Sequence, residues 1–215
     1  MKRMVLWGIL VTILCGVIYL LYVYNYIPHR KYTNDYFQIE PYVSQVDKDL
    51  DGVDDQTDIL NGVRAYLQTN PKYKSAYYAE GYPNDGYGVC TDVVAFGLKD
   101  AGYDLRKLVY EDVLEYPDEY AIDLVDKNID FRRVENLNIY LKRHALSLTT
   151  DIHKIMEWQG GDIVVFKGHI GVISDYRNAR GVPFVLHHAH PYQRDYEEDI
   201  LELEQKKIIG HYRIS

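Results

Sequence analysis

The residues best suited to chemistry in this sequence are one cysteine and a set of histidines far downstream of it. Cys90 follows Tyr87-Gly88-Val89 and precedes Thr91-Asp92-Val93-Val94, and Val94, Leu98 and Ala101 then recur at helical spacing. Cys90 therefore opens a helix, where unpaired backbone N–H groups and the helix dipole favour a thiolate. Gly86 and Gly88 leave room for a substrate backbone to approach. Most lone cysteines are small buried apolar residues, so position alone leaves the nucleophilic and the packing readings balanced. The histidines tip that balance. His169 opens a strand after Gly160-Gly161-Asp162-Ile-Val-Val-Phe-Lys-Gly168, and a strand-borne histidine is held rigidly enough to act as general base to a thiol. His187 ends the next strand and can stand beside His169 as the orienting third group. Alternation along that strand sends His187 and His188 to opposite faces, so only one of them looks into the site. His187, His188 and His190 with Asp195 have a spacing that matches no common zinc site. His29, His144 and His153 have no companions in the sequence and are assigned to surface or core.

A second constellation is acidic. Counted from Asp47, carboxylates fall at positions 1, 3, 5, 9 and 12 as Asp47, Asp49, Asp51, Asp55 and Asp58, with Gly52 at position 6. Calcium takes six to eight hard oxygens, and this spacing wraps a short loop around one ion, with the Val53 carbonyl as the position-7 ligand. An aspartate at position 12 resembles the short calcium loops of dockerins and thrombospondin-type repeats. A solvated acidic turn with an Asp helix cap accounts for the same residues. A third candidate is the Asp130, Arg132 and Arg133 group, since paired arginines hold carboxylates bidentately and could bind substrate. A buried, salt-bridged turn explains it equally well.

These residues need elements to position them. Apolar spacing predicts helices over residues 57–69, 91–101 and 134–144, and short strands over 162–166, 169–174, 182–187 and 208–214. Residues 177–181 connect two of the strands as a hairpin. Helices followed by an antiparallel run of strands indicate an α+β domain over residues 57–215. Residues 27–46, with many tyrosines and no sustained period, read as a linker or extended arm, and residues 47–58 are the acidic loop. Residues 4–24 carry no charge, which is long enough to cross the hydrocarbon of a bilayer. The run ends in Tyr22, Tyr24 and Tyr26, an interfacial belt rather than a cleavage site, so residues 1–26 read as an uncleaved anchor. Lys2 and Arg3 with the amino terminus favour the cytoplasmic side for the short tail, leaving the domain outside the cell membrane.

Composition excludes several classes. The net charge of -8, from 24 basic and 32 acidic residues, argues against a nucleic-acid partner, which needs a basic face. Two cysteines, Cys15 and Cys90, exclude a disulfide-stapled scaffold. Twenty-two tyrosines against five phenylalanines suit a wet, polar groove.

Taken together, Gly88-Val-Cys90-Thr-Asp92-Val-Val, Gly161-Asp162-Ile-Val, His169-Ile-Gly171-Val and Leu186-His187 resemble the NlpC-type cell-wall peptidases, which are papain-like. The chain is similar, more closely, to the bacterial family called domain of unknown function 1287. That family shares the run from Asp126 to Leu137, which contains Asn128, Asp130, Arg132, Arg133 and Asn136, and the terminal Gly210-His211-Tyr212-Arg213. The chain departs from the family at Phe131 and His188, where histidine and asparagine are usual. The resemblance implies a papain-like α+β fold, with Cys90 as nucleophile, His169 as base and His187 as third member. It also implies a thiol hydrolase acting on peptidoglycan peptides or a related amide. A non-catalytic binding module and an acyltransferase would use the same fold and residues.

Overall fold

The computed structural model describes residues 2–214. Helix α1 (Lys2–Val23) is apolar on every side, and its window from Arg3 to Val23 has a mean hydropathy of 2.5 with none of it buried. At 1.5 Å per residue it reaches about 32 Å, enough for a membrane anchor or a signal sequence. A helix apolar on every side calls for burial all round, in a membrane or a large core, and the domain covers none of this one.

The domain begins at α2 (Asp55–Gln68). Asp54 caps it, its carboxylate accepting from the Gln56 and Thr57 amides, and so satisfies the unpaired donors of the first turn. Ile59, Val63 and Leu67 then pack against α3 (Cys90–Asp100), which buries Val93, Val94 and Leu98. The two helices cross closely at Gly97, where an added Cβ would lie 2.4 Å from a Val63 methyl and 3.0 Å from the Ile59 carbonyl oxygen. Helix α4 (Leu105–Glu115) follows under an Asp104 cap, and α5 (Val134–His144) matches the expected bounds. No helix was expected over 105–115. Its inward face carries Leu105, Leu108, Val109 and Val113, but the buried Asp112 breaks the apolar pattern in the second half of the helix.

Two residues each of β1 (Lys72–Tyr73) and β2 (Tyr87–Gly88) pair in parallel just before Cys90. The remaining strands are β3 (Leu146–Ser147), β4 (Ile163–Phe166), β5 (His169–Arg177), β6 (Pro183–Leu186), β7 (Glu197–Glu198) and β8 (Ile208–Arg213). The short helix α6 (Leu201–Glu204) precedes β8. The strands form one antiparallel sheet in the order β3-β8-β4-β5-β6-β7. One face carries Ile163, Val165, Ile170, Val172 and Leu186 against the helices, and the other carries Val164, Phe166, Ile173 and Val185 against Trp158, Ile152 and Leu201. Period-2 alternation is thus used on both faces, and the fold is α+β.

Residues 25–46 form an extended arm laid along the domain. Tyr32 and Arg177 exchange backbone hydrogen bonds of 2.8 Å. The buried Arg177 guanidinium donates to the Asn34 amide oxygen and to the carbonyls of Ile155, Trp158 and Gly181. On the far side of the sheet His211 stacks on Trp158 at 3.8 Å and shares the buried Asp162 carboxylate with Arg213. These two residues brace the core.

Candidate active site

Cys90 is the first residue of α3, as expected, and its position is enforced by a distant ion pair. Asp92 turns back so that its Oδ2 accepts the Val89 N–H at 2.8 Å, closing the start of the helix. The same carboxylate is gripped by Arg132, whose Nε and Nη2 donate to its two oxygens at 2.6 and 2.8 Å. Both side chains are buried, at 2% and 0% exposure. Asp130 is also buried and accepts the Asp126 amide at 2.7 Å. Asp130 and Arg132 thus have their polar atoms engaged inside the fold, as the buried, salt-bridged turn would have them. Arg133 alone of that group is exposed, 3.7 Å from Asp130.

The half-buried Cys90 thiol lies beside the backbone N–H of Ile170, the residue after His169. Burial pushes the thiol up to about 11; the N–H groups of Ile170, Thr91 and Cys90 itself pull it down, and the Asp92 charge pushes it further up. The thiolate that a helix start would favour is overruled by desolvation here. Among the described residues no hydrogen bond joins Cys90 to His169.

His169 and His187 do meet. Nε2 of His169 lies 3.0 Å from Nδ1 of His187, with the rings edge to face. His169 stands at the start of β5, and His187 follows Leu186 at the end of β6, where neighbouring antiparallel strands bring the two side chains together. Burial, followed by the repulsion of His187, lowers His169 to about 3; burial and then His190 lower His187 to about 3. Both rings are neutral near pH 7. His188 projects to the opposite face, wedged edge-on between Tyr73 and Tyr196, and its buried Nδ1 has no partner. Alternation thus separates the two histidines and selects His187 as the neighbour of His169.

Sequence reasoning missed Glu198. Strand β7 pairs with β6, and this sets Glu198 Oε2 at 3.1 Å from Nε2 of His187. Gln193 approaches the same nitrogen at 3.4 Å, and its amide also donates to the His187 carbonyl at 3.2 Å. The hydrogen bond to that nitrogen thus comes from the Gln193 amide, and Glu198 stands beside it as a carboxylate at ion-pair distance. Burial pushes Glu198 up to about 7. When Glu198 is ionised it can only accept, and in that state a proton on His187 Nε2 lets His187 Nδ1 accept from His169 Nε2–H and leaves His169 Nδ1 as a lone pair. This tautomer pair is assigned from the Glu198 contact. A cavity of about 370 Å³ opens onto His169, His187, Glu198 and His190, with Tyr24 and Asn25 at the foot of α1 on its wall; Cys90 does not line it.

In the acidic loop, oxygens of Asp47, Asp49 and Asp51 converge, and Asp58, in the first turn of α2, is buried. Asp55 turns away, accepting from the Lys48 amide at 2.8 Å and from the Tyr103 hydroxyl, which removes it from the expected ligand set. The structure gives Val53 one role, donating its N–H to Asp51 at 2.8 Å. His29 and His144 do have companions, Asp199 at 2.9 Å and Asp112 at 2.7 Å.

Residues 60–214 match the family described as Domain of unknown function (DUF1287). The chain belongs to this family. The match spans α2 to the end of β8, so Cys90, His169, His187 and Glu198 all lie inside the family domain, whereas the acidic loop and α1 precede it. The chain is also similar to the uncharacterized protein YijF of Escherichia coli strain K12, with 36% identity over 168 residues, covering 72% of this chain and 80% of YijF. No solved structure matches the chain.

Proposed function

We propose that this DUF1287 protein is a membrane-anchored, extracytoplasmic thiol hydrolase that cleaves an amide in peptidoglycan peptides on a papain-like fold. The observation that carries the reading is the chain of contacts from Glu198 through His187 to His169, which ends one residue from the N–H beside the Cys90 thiol. With Glu198 ionised, that chain leaves a lone pair on His169 free to accept the thiol proton during attack, the role a general base to a thiol fills. The resemblance of the Cys90, His169 and His187 segments to NlpC-type peptidases supports the same roles.

In the proposed reaction, the thiol proton passes to His169 Nδ1 as the sulfur attacks the amide carbonyl. The Cys90 N–H at the helix start stabilises the oxyanion. The imidazolium then protonates the leaving amine, and water hydrolyses the thioester to a carboxylate and a free thiol. Because the resting thiol is held near 11 and the imidazole near 3, the proton moves only with attack, in a closed complex rather than a preformed ion pair.

One observation favours a second reading. A thiol raised rather than lowered, with no hydrogen bond to His169, suits a non-catalytic module that holds wall peptides in the cavity. Full-length protein in detergent, incubated with purified muropeptides and analysed by mass spectrometry for new amino termini, separates the two. Cleavage that is lost in Cys90→Ser and in His169→Ala supports the hydrolase. Binding of the same peptides without cleavage, unchanged in Cys90→Ser, gives the binding module instead.

A further inference from the structure

The loop preceding α2 concentrates negative charge that the fold itself does not neutralise. Carboxylate oxygens of Asp47, Asp49 and Asp51 all lie within 4.8 Å of one another. Their other contacts are with the loop backbone: Asp51 N–H and Gly52 N–H donate to Asp47 at 3.2 and 3.0 Å, and Val53 N–H to Asp51. The one lysine in the loop, Lys48, points elsewhere, its Nζ 4.8 Å over the Tyr103 ring. An independent group follows the loop in sequence. Asp58, in the first turn of α2, is only 6% exposed, and its buried Oδ2 has no hydrogen-bond partner. The charges closest to it in effect are those of Asp51 and Asp49. A buried carboxylate oxygen facing other carboxylates is costly unless a cation sits between them.

We propose that this loop binds one calcium ion, with Asp47, Asp49 and Asp51 as its exposed ligands and Asp58 as the buried ligand that ties the ion to α2. All four donors are hard oxygens, which calcium and not zinc prefers, and Gly52 at φ +95° makes the turn such a loop requires. Asp55 takes no part, since its oxygens already accept from Lys48 and Tyr103. The ion would clamp three elements. Ser44 at the end of the arm donates its N–H to the Asp54 cap at 2.8 Å, and Asp49 packs on the α3–α4 turn, where an added Cβ on Gly102 would lie 3.2 Å from its own Cβ. This site does not depend on the chemistry of Cys90.

The test is calorimetric titration of calcium chloride into EDTA-stripped full-length protein in detergent micelles, with magnesium chloride in parallel. One ion per chain is expected, with a dissociation constant on the order of 10⁻⁵ to 10⁻³ M, and magnesium at least about tenfold weaker. Asp58→Asn should weaken binding at least about tenfold, because it replaces an anionic ligand with a neutral one. Should Asp58→Asn not fold, the exposed Asp49→Asn carries the same expectation. Calcium should raise the unfolding temperature of the native chain and leave that of the weakened variant unmoved. Absence of binding to the native chain, or equal affinity in the variants, overturns the proposal.

Discussion

Replacing Arg132 with methionine should destabilise the domain by about 3–5 kcal/mol, the cost of leaving one partner of a buried pair uncompensated. The guanidinium meets both oxygens of Asp92 at 2.6 and 2.8 Å, with neither side chain reaching solvent. Charge centres about 4 Å apart at an effective dielectric of about 20 attract by roughly 4 kcal/mol, so Coulomb's law gives the same scale. With a urea slope of about 2 kcal/mol per molar, the midpoint should fall by about 1.5–2.5 M. The measurement is urea unfolding of the full chain in detergent, followed by far-ultraviolet circular dichroism. A double variant, Arg132→Met with Asp92→Asn, should recover part of the loss, since no unpaired charge remains while the amide oxygen can still accept Val89 N–H. A loss below about 1 kcal/mol in the single variant, accompanied by loss of peptide binding, would refute the reasoning and return Arg132 to substrate.

Four further variants test the site's electrostatics and packing. His187 stays neutral in the fold to about pH 3, whereas an unfolded histidine binds a proton below about 6.5, so the fold loses stability as pH falls through that window; His187→Gln should reduce the loss between pH 7.5 and 5 by about 2 kcal/mol. Glu198 has the opposite sign, because its folded value near 7 lies above the unfolded one and the fold gains stability as pH falls toward 4.5; Glu198→Gln should make the acid loss steeper by about 2 kcal/mol. Thermal melts at the two pH values check both, and parallel curves for the three proteins would sink the assignment. Gly88→Ala should destabilise by about 1–3 kcal/mol, because the added Cβ would lie 2.0 Å from the Tyr66 hydroxyl, and Tyr66→Phe should rescue it, since the next ring atom is 3.4 Å away. The Tyr66 hydroxyl is buried without a partner, so Tyr66→Phe alone should cost nothing; a loss would mean the hydroxyl is used.

What the sequence revealed and what it hid divide along one physical line. The start of α3 at Cys90, the strands around His169 and His187, and the opposite faces of His187 and His188 follow from local period and capping, which neighbours within a few residues determine. The ion pair between Asp92 and Arg132 joins residues 40 apart, and no local rule pairs them. Glu198 was hidden for a related reason. Its contact with His187 depends on the register of a two-residue edge strand, Val185 opposite Glu198, reached across the loop from 187 to 196. The only sequence signal was two acidic residues following an aromatic in a histidine-rich segment. The arm was likewise legible as extended but not as packed, because its anchor, Arg177, lies 143 residues from Asn34.

The charge of Asp92 looks misplaced, two residues from a thiol that a nucleophilic role would want ionised. Its position is nevertheless required, because the Val89 N–H that it accepts fixes how the chain enters α3 and so where the Cys90 N–H and sulfur stand. Arg132 reconciles the two demands. Gripping both carboxylate oxygens, it sets a positive charge against that carboxylate, and burial, ahead of the Asp92 charge, is the first reason the thiol stays high. The turn around Asp130 and Arg132 therefore belongs to the electrostatics of Cys90 even though it does not reach the sulfur. A site raised mainly by burial rather than by fixed charge responds to what enters it. A substrate amide that brings hydrogen-bond donors and displaces apolar contacts can lower the thiol, whereas an unshielded Asp92 would oppose it in every complex. Under the proposed hydrolase reading, the buried pair would make ionisation of Cys90 depend on what binds beside it, next to the His169–His187 contact.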